Sequence, residues 1–146
     1  MRYVGIDPGV NGAIAWMDED NNGCGSIKMP KEGYLRQGMR GHVCEHFCDV
    51  YVEDIPKGFS GMVNQSTMAV LHRNFGYMLG VLACTNITPI MVRPQTWQKD
   101  IPGLKGLKGK DRKNALWEHA KECFPDIKVF KYSADALLIA KWGSEQ

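Results

Sequence analysis

Apolar and polar positions follow one another along this chain in blocks whose period changes. Residues 3–6 (Tyr3-Val4-Gly5-Ile6) form a short apolar run suited to a buried central strand. Asp7 ends it, Pro8-Gly9 and Asn11-Gly12 turn the chain, and Ala13-Ile14-Ala15-Trp16-Met17 resumes an apolar run. This spacing predicts a strand, a tight turn and an antiparallel second strand. Residues 18–23 are polar and turn-like, and residues 24–29 supply a short third strand ending at Pro30. Residues 31–38 read as loop, and helical spacing begins at about Met39, weakened by Gly41, and runs to Phe47 or Cys48. Residues 49–55 then read as an inner strand closed by Pro56, with Val50 and Val52 on one face and Tyr51 on the other.

Residues 57–64 hold two glycines and a serine and read as loop. From Gln65 the period is strongly helical, through Met68, Leu71, Phe75, Met78 and Leu82. Gly76 and Gly80 interrupt that helix, each at a propensity cost of roughly 1 kcal/mol against alanine. Close backbone approach, either within the chain or to a partner helix, is the physical reason to keep them. Residues 87–92 read as another strand, and Pro94-Gln95-Thr96-Trp97 as a helical turn opened by proline. Residues 102–109 form a glycine- and lysine-rich connection expected to be mobile. A helix over about 111–124 follows, with Leu116, Ala120, Cys123 and Phe124 inward and Pro125 as its stop. The last helix starts at Ser133, as N-cap, and runs to Trp142, with Gly143 ending it. Three strands, helix, strand, helix, strand and two helices predict an α/β layered fold. Its sheet is five-stranded and mixed: an antiparallel meander of three strands, then two strands parallel to the first through helical crossovers.

A length of 146 residues suits one domain spanning residues 1–146, and 44 % hydrophobic with 23 % charged residues is ordinary for a globular protein. No apolar stretch approaches a membrane span, and the chain begins with strand-like sequence, leaving no room for a signal peptide; the cytoplasm is the expected compartment. The five cysteines (Cys24, Cys44, Cys48, Cys84, Cys123) include no C-x-x-C pair, as expected of reduced thiols. His42, Cys44, His46 and Cys48 share a face only if their segment is a strand, and its helical spacing reads instead as ordinary helix residues. The net charge of +2 is small, but residues 93–113 carry seven basic side chains against two aspartates. That stretch is either a solvated loop or a phosphate-binding patch.

If the first and fourth strands are parallel neighbours, Asp7 and Glu53 stand near matching C-terminal ends, where open α/β sheets bind ligands. Each has a plainer reading, Asp7 as a turn cap and Glu53 as a strand terminator. Asp135, in the first turn of the last helix, suits the helix dipole and can face the same mouth. Adjacent strand residues face opposite sides, so only one of Glu53 and Asp54 reaches that mouth, and alternation alone does not choose. Three carboxylates so placed repel one another unless cations neutralise them, and hard divalent ions fit oxygen ligands. Two Mg²⁺ ions about 4 Å apart would activate a water and stabilise the leaving oxygen of a phosphodiester. Nucleic-acid hydrolysis joins such a site to the basic stretch.

Gly5-Ile6-Asp7-Pro8-Gly9, the Val52-Glu53 strand end, the Phe75 to Leu82 helix with its paired glycines, Pro94-Gln95-Thr96-Trp97 and Ala134-Asp135-Ala136-Leu137 resemble, in that order, the RuvC family of Holliday-junction resolvases, especially its short phage and prophage members. The resemblance covers most of the chain. It implies a ribonuclease-H-like fold, a homodimer, and Mg²⁺-dependent paired nicking of four-way DNA junctions in a bacterial or phage-infected cytoplasm, with Mn²⁺ as a substitute ion. It matches Asp7, Glu53 and Asp135 to the family's metal-binding carboxylates, choosing Glu53 over Asp54. Lys113 matches a basic residue that handles backbone phosphate, with Lys110 beside it. The family's fourth acidic residue or histidine, three positions before the last aspartate, is here Tyr132. Three carboxylates suffice, a water fills the gap, or Asp126 swings in.

The basic stretch then supplies DNA contacts through Lys105, Lys108, Lys110, Arg112 and Lys113. Lys57 and Phe59, in the loop after Glu53, are candidates for a phosphate contact and for a wedge or stacking platform at the junction centre. Two other readings keep the fold: a nuclease acting on flaps, forks or structured RNA, and a non-catalytic DNA-binding protein. Actin-like ATPases also open on an aspartate-glycine hairpin, but they need a second lobe that 146 residues do not provide.

Overall fold

The computed structural model describes residues 1–20, 23–31, 35–40, 43, 48–55 and 64–146. Its elements are β1 (Arg2–Asp7), β2 (Ala13–Asp18), β3 (Gly25–Lys28), α1 (Leu35–Arg40), β4 (Cys48–Glu53), α2 (Gln65–Cys84), β5 (Ile90–Val92), α3 (Pro94–Trp97), α4 (Gly109–Cys123) and α5 (Ala134–Ser144). The strands form one sheet in the order β3-β2-β1-β4-β5. β1 pairs antiparallel with β2, and β2 with β3, while β1 with β4 and β4 with β5 are parallel. This is the expected mixed sheet. No helix among the described residues is long and apolar enough to cross a membrane.

Alternation along β1 and β4 divides the core in two. Val4, Ile6, Val50 and Val52 lie on one face with Met39 of α1 and Met78 and Leu82 of α2. Tyr51 lies on the other, with Leu116 and Ala120 of α4 and the buried length of α5. Residues of opposite parity on one strand thus serve opposite layers.

α5 lies hardest against the sheet, and two glycines make that possible. A Cβ on Gly5 would stand 2.0 Å from the Ala136 carbonyl oxygen and 2.5 Å from the Ala140 nitrogen. A Cβ on Gly143 would stand 2.3 Å from the Tyr51 ring, which also meets Trp142 edge-on at 5.8 Å between centroids. Gly143 therefore does not stop the helix, as its position near the end suggested; α5 runs on to Ser144. Ser133 precedes the helix as expected, but its hydroxyl makes no cap bond to the first turn. It accepts from the Phe130 N–H (3.2 Å) and donates to the Phe130 carbonyl (3.1 Å) instead.

Other boundaries differ from the sequence pattern for similar reasons. The segment expected as loop to Gly38 becomes helical at Leu35. A Cβ on Gly38 would lie 2.5 Å from Pro30 Cγ, and Met39 is fully buried, so packing outweighs weak local propensity. The helix expected from Met39 to Phe47 or Cys48 falls mostly outside the described residues; Cys48 opens β4, its thiol donating to the Val43 carbonyl at 2.9 Å. The strand expected over 87–92 narrows to Ile90–Val92. His42, Cys44, His46, Lys57 and Phe59 lie outside the described residues.

Replacing Gly5 by alanine should lower the unfolding free energy by about 3 kcal/mol or more, because backbone rather than a flexible side chain occupies the space. Urea unfolding reads this directly. A midpoint equal to wild type would show that α5 does not rest on Gly5.

Candidate active site

β1 and β4 run parallel with Ile6 opposite Val52, so Asp7 and Glu53 leave the sheet at the same end. Both have the parity of Gly5 and Tyr51, the face that α5 covers. Alternation alone left Glu53 and Asp54 undecided; Glu53 has the parity of the face that α5 covers, and Asp54 the opposite one. Asp54, of opposite parity, still lines the cleft, and its N–H donates to the Val92 carbonyl at 2.8 Å.

The cleft, of about 680 Å³, is lined by Asp7, Gly9, Glu53, Lys113, Lys131 and Tyr132 among others. Asp7 does cap its turn, accepting from the Gly9 N–H at 3.0 Å through Oδ1, while lining the cleft. Glu53 Oε1 accepts from Trp97 Nε1 at 3.2 Å, which gives the Pro94–Trp97 turn its purpose: it seats a buried indole under the glutamate. Asp135 is only 4 % exposed. Lys113 pairs with its Oδ2, while Oδ1 is buried with no hydrogen-bond partner.

The electrostatics connect these groups. Burial first, then the fields of Asp7 and Asp135, push the Glu53 carboxyl up to about 7, against the opposing pull of Lys113 and Trp97. Burial also raises Asp7, the Gly9 bond opposes it, and Asp135 adds to the rise. Burial works against the Lys113 ammonium, but Asp135 at contact, with Asp7 and Glu53 beyond, holds its pKa above the ordinary value. Asp135 thus acts on both Asp7 and Glu53, Asp7 acts on Glu53, and Lys113 is a counter-ion to both.

The donor set is hard oxygen, and a buried carboxylate oxygen without a partner is what a divalent cation would satisfy. By chemistry the residues fit Mg²⁺. In position, no group of three or more His, Cys, Asp or Glu among the described residues is disposed to hold a metal ion. Tyr132 lines the cleft at the position where a fourth ligand was expected. Asp126 does not approach; it lines a separate cavity with Tyr3, Met17 and Cys123.

Lys105, Lys108 and Lys110 are exposed. Arg112 is engaged internally: Nε donates to Gln98 Oε1 and Nη1 to the Leu104 carbonyl, both at 3.0 Å. It ties the preceding connection to α4. That connection, expected to be mobile, is anchored by buried Leu104 and turns through positive φ at Gly103, Gly106 and Gly109. Trp97, through its bond to Glu53, and Lys131, in the cleft lining, join the site without having stood out as candidates in the sequence pattern. Of the two, only Trp97 carried a cue, the proline-opened turn.

No protein-family model matches the sequence, and no curated protein matches it. Solved structures do match in fold. The structure of RuvC from Thermus thermophilus aligns with a TM-score of 0.65 at 14 % identity, over 97 % of this chain and 92 % of that one. T. thermophilus RuvC in complex with Holliday junction substrate aligns with a TM-score of 0.65 at 12 % identity, over 97 % and 91 % of the two chains. The five-stranded mixed sheet with its helices has the ribonuclease-H-like fold of RuvC.

Because the Glu53 carboxyl sits near 7 rather than at its ordinary 4.5, its protonated form stabilises the metal-free fold. That contribution is complete below about 4.5 and is lost as pH rises through about 7, a difference of about 3 kcal/mol. Thermal melting with EDTA should show the wild type losing stability between pH 5 and pH 8 relative to E53Q. Parallel pH profiles for the two proteins would contradict the burial of Glu53 among like charges.

Proposed function

We propose that this chain is a metal-dependent, structure-selective endodeoxyribonuclease that resolves four-way DNA junctions by paired phosphodiester hydrolysis. The reading is supported by a cleft lined by Asp7 and Glu53, both of which feel the charge of Asp135 on α5, with Lys113 acting on both and paired with Asp135. Structural proteins seldom bury like charges in this way; sites that take a cation or do acid–base work do so regularly. The fold shared with a RuvC solved together with a Holliday junction adds support to the choice of substrate.

In this reading Asp7, Glu53 and Asp135 hold Mg²⁺, for which Mn²⁺ substitutes, two ions to a site. When bound, the ions would supply an activated water and neutralise charge on the scissile phosphate. Trp97 fixes the Glu53 carboxylate, and the Gly9 N–H fixes Asp7. Lys113, paired with Asp135 here, is the basic residue that would meet the phosphate of the strand being cut. Lys105, Lys108 and Lys110 meet the backbone on either side, so binding reads shape and weakens with salt.

The partner is branched DNA, and the active form is a homodimer. Gly76 and Gly80 support the dimer. No described atom lies within 4 Å of a Cβ placed on either, so packing within the described chain does not explain them. Tyr77 and Val70, on the same helix, are exposed. A second copy of α2 is what such a surface would receive.

Two measurements test this reading. D7N, E53Q and D135N should each lower cutting of a four-way junction in Mg²⁺ by more than about 100-fold, since even outer partners of a metal ligand are worth about 10–100-fold. Junction binding should persist or strengthen. Equal cutting by D7N and wild type would end the nuclease reading, and equal rates on four-way, three-way and flap substrates would end the resolvase reading. G80R should convert a dimer to monomers in sedimentation velocity with unchanged circular dichroism; a dimeric G80R would remove α2 from the interface.

A further inference from the structure

We infer that Phe130, stacked on Tyr132 at the rim of the acidic cleft, is a platform for an unpaired base of the strand entering that cleft, with Lys128 and Lys131 beside it for the adjoining phosphates. The inference rests on the nuclease reading of the cleft and adds a binding site to it.

The two rings lie 5.1 Å apart between centroids and 10° from parallel. Tyr132 lines the cleft that holds Asp7 and Glu53, whereas Phe130 is 38 % exposed. The stack therefore leads outward from the carboxylates to solvent. An exposed phenylalanine in a connection ordinarily folds back onto its own protein. Here the backbone on both sides is held. Fully buried Ser133 bonds the Phe130 N–H and carbonyl through its hydroxyl, and the Ser133 N–H donates to the same carbonyl at 3.0 Å. Upstream, Trp117 Nε1 donates to the carbonyl of buried Val129 at 3.0 Å, and Lys131 Nζ reaches Asn114 Oδ1 at 3.0 Å. The exposure of the ring is thus built into the turn that leads to α5 and Asp135.

The surroundings suit a polyanion with flat faces. Lys128 Nζ stands 5.0 Å from the Phe130 ring centre, and Lys121 and Lys131 stand 4.2 and 4.8 Å from that of Trp117. Ammonium groups interleaved with aromatic faces are the pattern of single-strand recognition, and they are a poor match for an apolar protein surface. Stacking of a base on an aromatic ring is worth about two- to threefold more than an exposed cation–π contact. An arriving base therefore takes the ring, and Lys128, displaced, remains close enough for the phosphate.

The test uses the full chain and a four-way junction carrying 2-aminopurine at successive positions flanking the crossover. Fluorescence is read in Ca²⁺, so that binding is observed without cutting. Wild type should change the emission of at least one position on binding. F130A and F130L should both lose that change and bind about 5- to 150-fold more weakly, while F130W restores both. Leucine keeps the apolar bulk without the flat face, so an F130L protein that behaves as wild type would overturn the platform. Absence of any responsive position in the wild type would overturn it as well. If wild type cuts and D7N does not, yet F130A gives the wild-type signal, the platform alone fails. If D7N cuts as wild type does, the nuclease reading fails, and the fluorescence of F130W against F130L still decides the platform.

Discussion

The close approach of α5 to β1 is the contact on which the remaining geometry depends. Backbone meets backbone there: the Ala136 carbonyl and the Ala140 nitrogen fill the space that any side chain at position 5 would need. The helix that rests there is buried from Ala134 to Ala140, so its position is set by dispersion and shape rather than by polar pairing. Asp135 is the residue before Ala136, and Asp7 lies two residues beyond Gly5 on the same face of the strand. One steric fact therefore places a helical carboxylate near the carboxylate at a strand end. The parallel register of β4 brings the third carboxylate to the same end of the sheet.

The sheet was legible because its signal is local. Alternation in residues 3–6 and 50–52 and the glycine-proline turns prescribe strand, turn and face without reference to distant residues. Helix limits were less legible where the deciding atoms lie far along the chain. Gly143 reads as a helix stop because glycine favours the end of a helix, and only the Tyr51 ring, distant in sequence, shows that it is there to leave room. Gly38 was misread for the same reason, its neighbour being Pro30.

The candidate site divides in the same way. The places of Asp7 and Asp135 in the fold were legible, one at a strand end and one in a first helical turn. Glu53 over Asp54 was a matter of parity, and parity means nothing until one knows which face the last helix covers. Arg112 looked like one more cation in a basic run, but Gln98 and the Leu104 carbonyl occupy its guanidinium. Phe130 carried no signal at all. In sequence it is an apolar residue close to lysines, and what distinguishes it, a buried serine holding its backbone and a tyrosine under its ring, is tertiary.

The carboxylates do not form a gathered ligand set among the described residues, and the charges in the cleft give the physical reason. Burial raises the cost of ionising Glu53 first, and the charges of Asp7 and Asp135 add to it, which pushes its carboxyl up to about 7. Among the described residues Lys113 is the cation acting on both Asp7 and Glu53, and it pairs with Asp135 while leaving Oδ1 of that residue without a partner. One positive charge cannot draw three negative ones together; a divalent ion carries twice the charge and accepts several oxygens at once. The Lys113 ammonium thus stands where positive charge is wanted, on a side chain that is itself exposed.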